Sequence, residues 1–340
     1  MGGFTTATDY TSEALLFTDR HFRPKVVDQF FNSNPVLFML RKNAKLLSGG
    51  TSIELPSMVD ESGNFAFFSK AETYTASDVQ VFDAARAEWK LATQPVVIFE
   101  QDLLMNGDSK ERRLNHVAAR NVAASKEMAN NFGNALFSLD HSATSKIDGL
   151  DHAVGTQTAT GEESTANATY LGVVRAGTGT AATWNANVDA SQSTTTLGGL
   201  QSSWGTATEG NEHPTLVVTS QTGYNRIWNL YSPHQRIGSD LLGKLGFQSL
   251  IFNGVPCVVD SHVPRSGGVN NTATNGTSGD YVYMLNMNHI YMVAHKQAFF
   301  NFRASPMPIN QWVNIGRYFF MGNVVCDAPR YQAKITDLVA

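Results

Sequence analysis

Four side chains with catalytic chemistry lie close together in the stretch VPCVVDSHVP, residues 255–264. Cys257 and Ser261 supply a thiol and a hydroxyl, which are the groups of a nucleophile. A catalytic dyad also requires a base that is oriented onto the nucleophile. In an extended strand Asp260 and His262 point to one face and Cys257 points to the other. An apolar strand that ends in a polar turn is therefore the simpler interpretation, with a hydrolase that uses Cys257 and His262 as the alternative.

Other candidate sites are weaker. His289 and His295 fall in one predicted strand, where six residues span roughly 20 Å, too far to bind one metal ion. Cys257 and Cys326 lack the CxxC spacing of a zinc site or redox motif. The stretch RAGTGTAATW lacks the Gly-Lys-Ser/Thr ending of a phosphate loop. The sequence thus predicts no catalytic, cofactor or metal site, and we expect a protein that is not an enzyme.

Composition narrows the class of protein. The 340 residues are 42% hydrophobic, which is sufficient for a large core, but only 16% are charged, against about 25% in typical proteins. A surface with so little charge is typical of a chain that is covered by other subunits. The net charge of −4 and the absence of a dense Lys/Arg run disfavour sequence-specific nucleic-acid binding. With no signal-peptide pattern and no apolar membrane span, we expect a soluble protein of a reducing cytosol.

The N-terminal part predicts an arm, two short helices and a hairpin. Residues 1–24 are polar and irregular, and apolar spacing typical of a helix begins after Pro24. A second helix starts with Asn34 as its cap and Pro35 at its first position, and runs past Leu47 to two glycines. Strands are predicted at residues 51–58 and 86–99. We expect the aromatic-containing segment between them to form a long projecting hairpin that a neighbouring subunit stabilises, because isolated hairpins are marginal in water.

The remaining sequence predicts one long helix followed by a second lobe. Residues 108–140 have helical spacing, and Asp108 with Glu111 forms a capping box. Residues 141–212 are rich in Thr, Ser and Gly and contain a short helix from Thr196. After it come a buried strand in HPTLVVTS, a helix capped by Ser220, a hairpin turn at Asn253-Gly254, and strand-rich blocks that reach almost to the C-terminus.

This order of elements resembles the major capsid (coat) proteins of tailed bacteriophages. The resemblance covers nearly the whole chain and is carried by these stretches: VVDQFFNSNPVLFMLRKNAKLLSGGTSIELP, HPTLVVTSQTGYNRIWNLYSPHQRI, LGFQSLIFNGVPCVVDSHVP, YMLNMNHIYMV and QWVNIGRYFFMGNVVCDAPRYQAKITDL. It implies an α+β fold of the tailed-phage capsid type. The implied divisions are an N-terminal arm with short helices at 1–50, an extended loop at 51–100, a peripheral domain with a spine helix at 101–145 plus 296–340, and an axial domain at 146–295.

The resemblance also implies a function. We expect a structural subunit that assembles into hexamers and pentamers of an icosahedral virion capsid in the host cytoplasm and encloses double-stranded DNA. Its partners would be itself, a separate scaffolding protein, a portal and, optionally, a decoration protein, with no cofactor and no membrane. An encapsulin-like compartment shell is the alternative with the same fold. The candidate inter-subunit contacts are Phe65, Phe67, Phe68, Lys70, Tyr74, Asp260 and His262.

Some capsid proteins of this family cross-link covalently through a lysine of the extended loop. Lys70 is the only lysine between the two predicted strands of this loop, and asparagines are plentiful elsewhere in the chain. A solvated lysine is nevertheless the simpler interpretation, because the required acidic partner cannot be located from the sequence.

Overall fold

The structure is a computed structural model, and it describes residues 34–58, 64–74, 76–78, 82–99, 101, 116–138, 145–156, 169–175, 184–190, 196–231, 249–265, 279–305 and 312–338. The predicted N-terminal arm, the first short helix and the capping box of Asp108 and Glu111 lie outside these residues.

The described residues form α-helices and β-strands. The helices are α1 Pro35–Lys42, α2 His116–Leu136, α3 Leu150–Ala153, α4 Leu197–Thr206 and α5 Gln221–Tyr231. The strands are β1 Lys45–Leu47, β2 Ile53–Met58, β3 Phe82–Ala87, β4 Lys90–Phe99, β5 Thr169–Tyr170, β6 Val173–Val174, β7 Asn187–Asp189, β8 Leu216–Thr219, β9 Ser249–Phe252, β10 Val255–Val259, β11 Asp280–Leu285, β12 Ile290–His295, β13 Asn301–Ser305, β14 Val313–Cys326 and β15 Ala333–Leu338.

Local sequence signals account for several of these element ends. The Asn34 side chain accepts a hydrogen bond from the Leu37 amide at 3.0 Å and so caps α1. The hydroxyls of Thr196 and Ser220 accept from amides three residues later in the same way. Asn253 and Gly254 both adopt positive φ and join β9 to β10, as the predicted tight hairpin requires. The predicted caps at Asn34 and Ser220, the predicted helix from Thr196 and the predicted turn at Asn253-Gly254 are confirmed.

One five-stranded sheet is built around the long strand β14. β4 pairs antiparallel with residues 313–322 of β14, and β13 pairs antiparallel with residues 315–319 of the same part. β12 pairs antiparallel with residues 322–326, and β1 adds in parallel to β12. Helix α2 lies on one face of this sheet. Its buried residues recur every four positions and are Ala124, Met128, Phe132 and Leu136, which places one continuous stripe of the helix against the strands.

A six-stranded sheet forms the second layer, in the order β7-β15-β11-β8-β10-β9. Its central strands β8 and β11 are buried at every residue, so both faces are covered. Alternate residues divide between two apolar clusters: Val258 and Tyr283 contribute to the cluster that contains α2, and Cys257 and Met284 to the cluster that contains α4 and α5. The sheet therefore separates the two cores.

The structure differs from the sequence-based prediction at two strands near the N-terminus. Helix α1 ends at Lys42, and Leu47 belongs to the strand β1, where pairing with β12 satisfies its backbone. Residues 86–99 form two strands in place of one. β3 pairs with β2 in the hairpin, and β4 leaves the hairpin to pair with β14.

Sheet membership also differs from the predicted domain division. Strand β12 falls in the range assigned to the axial domain, but it pairs within the five-stranded sheet. Strand β15 falls in the range assigned to the peripheral domain, but it pairs with β11 and β7 in the six-stranded sheet. The two sheets are therefore interleaved along the chain, and the domain boundaries stay a prediction.

Candidate interaction surface

Strands β2 and β3 form a two-stranded antiparallel hairpin. Six residue pairs join the strands, from Ile53 opposite Ala87 to Met58 opposite Phe82. The chain enters through Gly49 and Gly50, whose φ values of +152° and +126° are conformations that other residues rarely adopt. The two glycines therefore allow the turn by which the chain leaves β1 for the hairpin.

The exit of the hairpin is anchored by Trp89 and Asn323. The Trp89 indole donates to the Gly50 carbonyl at 3.0 Å, which ties the exit to the entrance. Asn323 is a buried residue of β14, and its side-chain amide donates to the Glu88 carbonyl at 3.1 Å and to the Asp148 carboxylate at 2.6 Å. The base of the hairpin is thus held by two polar contacts that are distant in sequence.

Asp148 is the charged member of this anchor. Burial by itself raises the pKa of Asp148, but hydrogen bonds from His152 and Asn323 outweigh that effect and hold the pKa below its usual value. Asp148 is consequently ionised in the folded chain. Its contribution to stability is present above the ordinary aspartate pKa of 3.8 and is lost as the pH falls through the lowered value.

The loop of the hairpin has an ordered turn of its own. Asn64 and Ser77 close it. The side-chain amide of Asn64 donates to the Ser77 carbonyl at 2.7 Å, and its oxygen accepts from the backbone amide of Ser77 at 3.0 Å. Nearer the tip, the Ser69 amide donates to the Glu72 carboxylate at 2.8 Å. Lys70 is exposed in this turn. These hydrogen bonds join residues within 64–74 and 76–78, so the described part of the loop is held together by its own contacts.

Four aromatic side chains of this loop are exposed. The exposed fractions are 82% for Phe65, 93% for Phe67, 65% for Phe68 and 66% for Tyr74. They contact one another as two pairs, with ring centroids 5.0 Å and 5.8 Å apart. Large apolar side chains in one exposed cluster are typical of a protein interaction site. We call this cluster the aromatic loop, and it is the feature with the clearest capacity to bind a partner.

Asp260 and His262 lie elsewhere, inside the subunit. Their exposed fractions are 0% and 2%. The imidazole Nδ1 is 2.8 Å from the Asp260 carboxylate, and Nε2 is 2.9 Å from the Asn130 side-chain oxygen on α2. A Cβ atom on Gly133 would lie 2.9 Å from the same ring, so the glycine makes room for it. This burial argues against an inter-subunit contact, and the predicted contact residues that are exposed are those of the loop.

Cys257 is not placed to serve as a nucleophile. Its side chain is buried in the cluster with α5, whereas His262 contacts α2 on the other side of the six-stranded sheet. Burial raises the pKa of the Cys257 thiol to about 12. At neutral pH the thiolate is then about one part in 10⁵, and only the thiolate is nucleophilic. The geometry does not support the hydrolase alternative that uses Cys257 and His262.

Both cysteines are expected to resist alkylation in the folded protein. Cys326 is also fully buried, and burial raises its pKa to about 12. Treatment with iodoacetamide at about pH 8, followed by intact-mass measurement, should leave both thiols unmodified, whereas unfolding in urea should give two adducts. An adduct on Cys257 without urea would contradict its placement in the core.

Sequence reasoning missed part of the surface. Leu91, Val97 and Phe99 of β4 are exposed on the face of the sheet away from α2, while Val96 and Ile98 pack beneath the helix. The alternation of buried and exposed residues in β4 could have indicated these faces, but all of these residues are apolar. The anchoring role of Asn323 has no local signal at all.

The described part of the chain contains neither a membrane-spanning helix nor a metal-binding group of side chains. None of its helices has the length and hydropathy to cross a membrane. Within the same residues, no group of three or more His, Cys, Asp or Glu side chains could hold a metal ion.

Comparison with known proteins gives matches in structure alone. No protein-family model and no curated protein matches the sequence. The capsid asymmetric unit of cyanophage A-1(L) matches with a TM-score of 0.68, 15% identity, and coverage of 96% of this chain and 98% of that chain. The capsid of Myoviridae phage XM1 matches with a TM-score of 0.57, 13% identity, and coverage of 99% and 100%.

A compartment protein is also similar. The holo-SrpI encapsulin complex of Synechococcus elongatus PCC 7942 matches with a TM-score of 0.55, 8% identity, and coverage of 96% of this chain and 95% of that chain. Since these matches extend over almost the full length of each chain, they apply to the whole fold. The chain has the α+β fold of tailed-phage capsid proteins, which the encapsulin shares.

Proposed function

We propose that this chain is the major capsid protein of a tailed bacteriophage, and that it forms hexamers and pentamers of an icosahedral shell around double-stranded DNA. The observation that carries the proposal is the aromatic loop, presented on a projecting hairpin by a chain with the capsid fold throughout. An exposed aromatic cluster on a projecting hairpin is costly in a monomer and useful in an assembly.

The aromatic loop supports head-to-tail contacts between subunits. We expect a different surface of the next subunit to bind these exposed rings. Contacts of this heterologous kind close into rings when the rotation between subunits is suitable. Burying one aromatic side chain contributes on the order of 1.5 to 3 kcal/mol, so four per subunit stabilise a ring substantially.

The charge of the chain is compatible with a container for DNA. The net charge is −4, and there is no dense run of Lys or Arg. A shell that neutralised many phosphates would hold its genome tightly, whereas a mildly acidic wall encloses it without sequence-specific binding. The proposal includes assembly in the host cytoplasm with a separate scaffolding protein and a portal, and location in the virion. A decoration protein is an optional partner.

An encapsulin-like shell that houses protein cargo is the second candidate. It is favoured by one observation, the match to an encapsulin over almost the full chain. The two functions share the fold and differ in their contents, so they are separated by what the purified particle contains.

Electron microscopy of the expressed protein tests both proposals. We expect closed shells or capsomer rings, with closed shells of uniform size dependent on a co-expressed scaffolding protein. Packaging assays with a portal should then yield DNA-filled particles. Uniform shells that form without a scaffold and copurify with a cargo protein would favour the compartment. A stable monomer under all assembly conditions would contradict both.

A further inference from the structure

Two short links, which contact each other, connect the two sheets. Residues 286–289 lead from β11 to β12, and residues 327–332 lead from β14 to β15, so each passes from one sheet to the other. The backbone amide of Asn286 donates to the Gln332 side-chain oxygen at 2.7 Å. The Asp327 amide donates to the His289 carbonyl at 3.1 Å. We call these two links the crossover. Its contacts join the layers of the subunit.

The His289 imidazole lies between two carboxylates at the crossover. Its Nδ1 atom is 2.7 Å from an Asp327 carboxylate oxygen, and its Nε2 atom is 3.5 Å from a Glu212 carboxylate oxygen. The same Glu212 oxygen accepts a hydrogen bond from the side-chain amide of Asn286 at 2.8 Å. The ring thus connects the end of β14 with the segment that precedes β8.

The two ring nitrogens do not have equal partners. Nε2 is buried and makes no hydrogen bond within the described residues, although it lies near Glu212. A neutral imidazole carries one N–H, and when Nδ1 donates to Asp327 the Nε2 lone pair faces a carboxylate. An imidazolium carries an N–H on both nitrogens, so both carboxylates then have a donor.

We infer that His289 is a proton-operated fastener of the crossover, which binds Asp327 alone when neutral and both Asp327 and Glu212 when protonated. Histidine is the side chain that ordinarily changes charge between about pH 5 and 8. Protonation of the ring therefore strengthens the connection between the two sheets. The inference concerns the single subunit and does not depend on the proposed shell function.

Three further side chains lie around this position. Arg330 is the nearby positive group, and it pairs with Glu209 on the turn that precedes Glu212. The Tyr331 ring packs against His289 with the ring centroids 5.2 Å apart and the planes tilted by 36°. His213 follows Glu212 directly, and its Nδ1 lies 3.3 Å from the Asn211 carbonyl. It is exposed and serves as a control.

Hydrogen exchange of the full-length protein tests the inference through the crossover amides. Mass spectrometry would follow peptides that contain residues 286–289 and 327–332 at about pH 7.5 and about pH 5.5, corrected for the intrinsic pH dependence of exchange. Protection of these amides should rise about twofold to fivefold on acidification, the range for a partly exposed ion pair. The His289→Gln variant should lose this rise, and His213→Gln should keep it.

A structural role without proton dependence would give a different result. If His289→Gln lowered protection equally at both pH values and kept the rise, or if the wild type showed no rise, the inference would be overturned. Loss of the rise in His213→Gln would assign the proton to that residue and would also overturn it. Should His289→Gln fail to fold, Asp327→Asn replaces it, because it retains the imidazole and removes one carboxylate. That variant should show a smaller rise than the wild type, and an unchanged rise would contradict the fastener.

Discussion

Replacing Phe65, Phe67, Phe68 and Tyr74 with serine is expected to abolish shell assembly and to leave the subunit folded. The four side chains are at least 65% exposed in the single chain, so their loss removes little from its core. Surface substitutions of this kind change the free energy of unfolding by less than about 0.5 kcal/mol each. In an assembly, the same positions would each lose on the order of 1.5 to 3 kcal/mol of apolar burial. Electron microscopy and analytical ultracentrifugation would measure the loss of shells.

The matched control changes the same loop without removing its aromatic rings. Ala66 and Ala71 are exposed neighbours in the loop, and serine at both positions adds polarity at nearly constant size. We expect this control to assemble normally. A coarser version of the test deletes residues 60–84, which should leave a folded subunit that forms no shells. Normal shells from either the serine variant or the deletion would show that the aromatic loop is not the interface.

The second large effect is expected at the buried ion pair of Lys334 and Asp151. The ammonium group is 2.8 Å from the carboxylate, and the Tyr283 hydroxyl donates to the same carboxylate oxygen at 3.1 Å. Lys334→Met leaves the Asp151 charge buried without its cation, which typically costs about 3 to 5 kcal/mol. Urea denaturation of the unassembled subunit would report this as a lower midpoint at an unchanged slope.

Two further variants distinguish charge burial from packing. Adding Asp151→Leu to Lys334→Met removes both charges and should recover much of the loss, because apolar replacements of buried pairs are often neutral. Arg86→Met breaks the ion pair with Glu54, where both side chains are more than half exposed, and should cost less than about 1 kcal/mol. An equal effect from Lys334→Met and Arg86→Met would show that Lys334 is solvated in the folded subunit.

The placement of buried charge illustrates what a single sequence cannot reveal. Lys334 occurs in the stretch YQAKITDL, where alternation would allow a solvated lysine on an outer face. Charged side chains are rarely buried without partners, and the partner of Lys334 is 183 residues away in the chain. The same holds for Asn323, whose partners Glu88 and Asp148 come from the hairpin exit and the segment before α3. No local pattern reports contacts at these separations.

Asp260 and His262 show the same limit of prediction from sequence, here for the residues of a polar turn. The sequence predicted that they end a strand in a polar turn, and they were candidate inter-subunit contacts. The structure packs them against α2, because Gly133 leaves space for the imidazole ring and Asn130 supplies a hydrogen-bond partner. Whether a polar turn lies inside or outside depends on which element covers it, and that is a property of tertiary packing.

The sequence by itself determined local features and the order of the elements along the chain. Caps at Asn34, Thr196 and Ser220 and the Asn253-Gly254 turn depend on interactions within four residues, and the order of the elements was sufficient to indicate the capsid fold. Only the tertiary structure decided which strands pair, as β4 with β14, and which polar groups are buried. The physical reason is that pairing and burial depend on the free energy of contacts between distant segments, whereas caps and turns depend on neighbouring backbone groups.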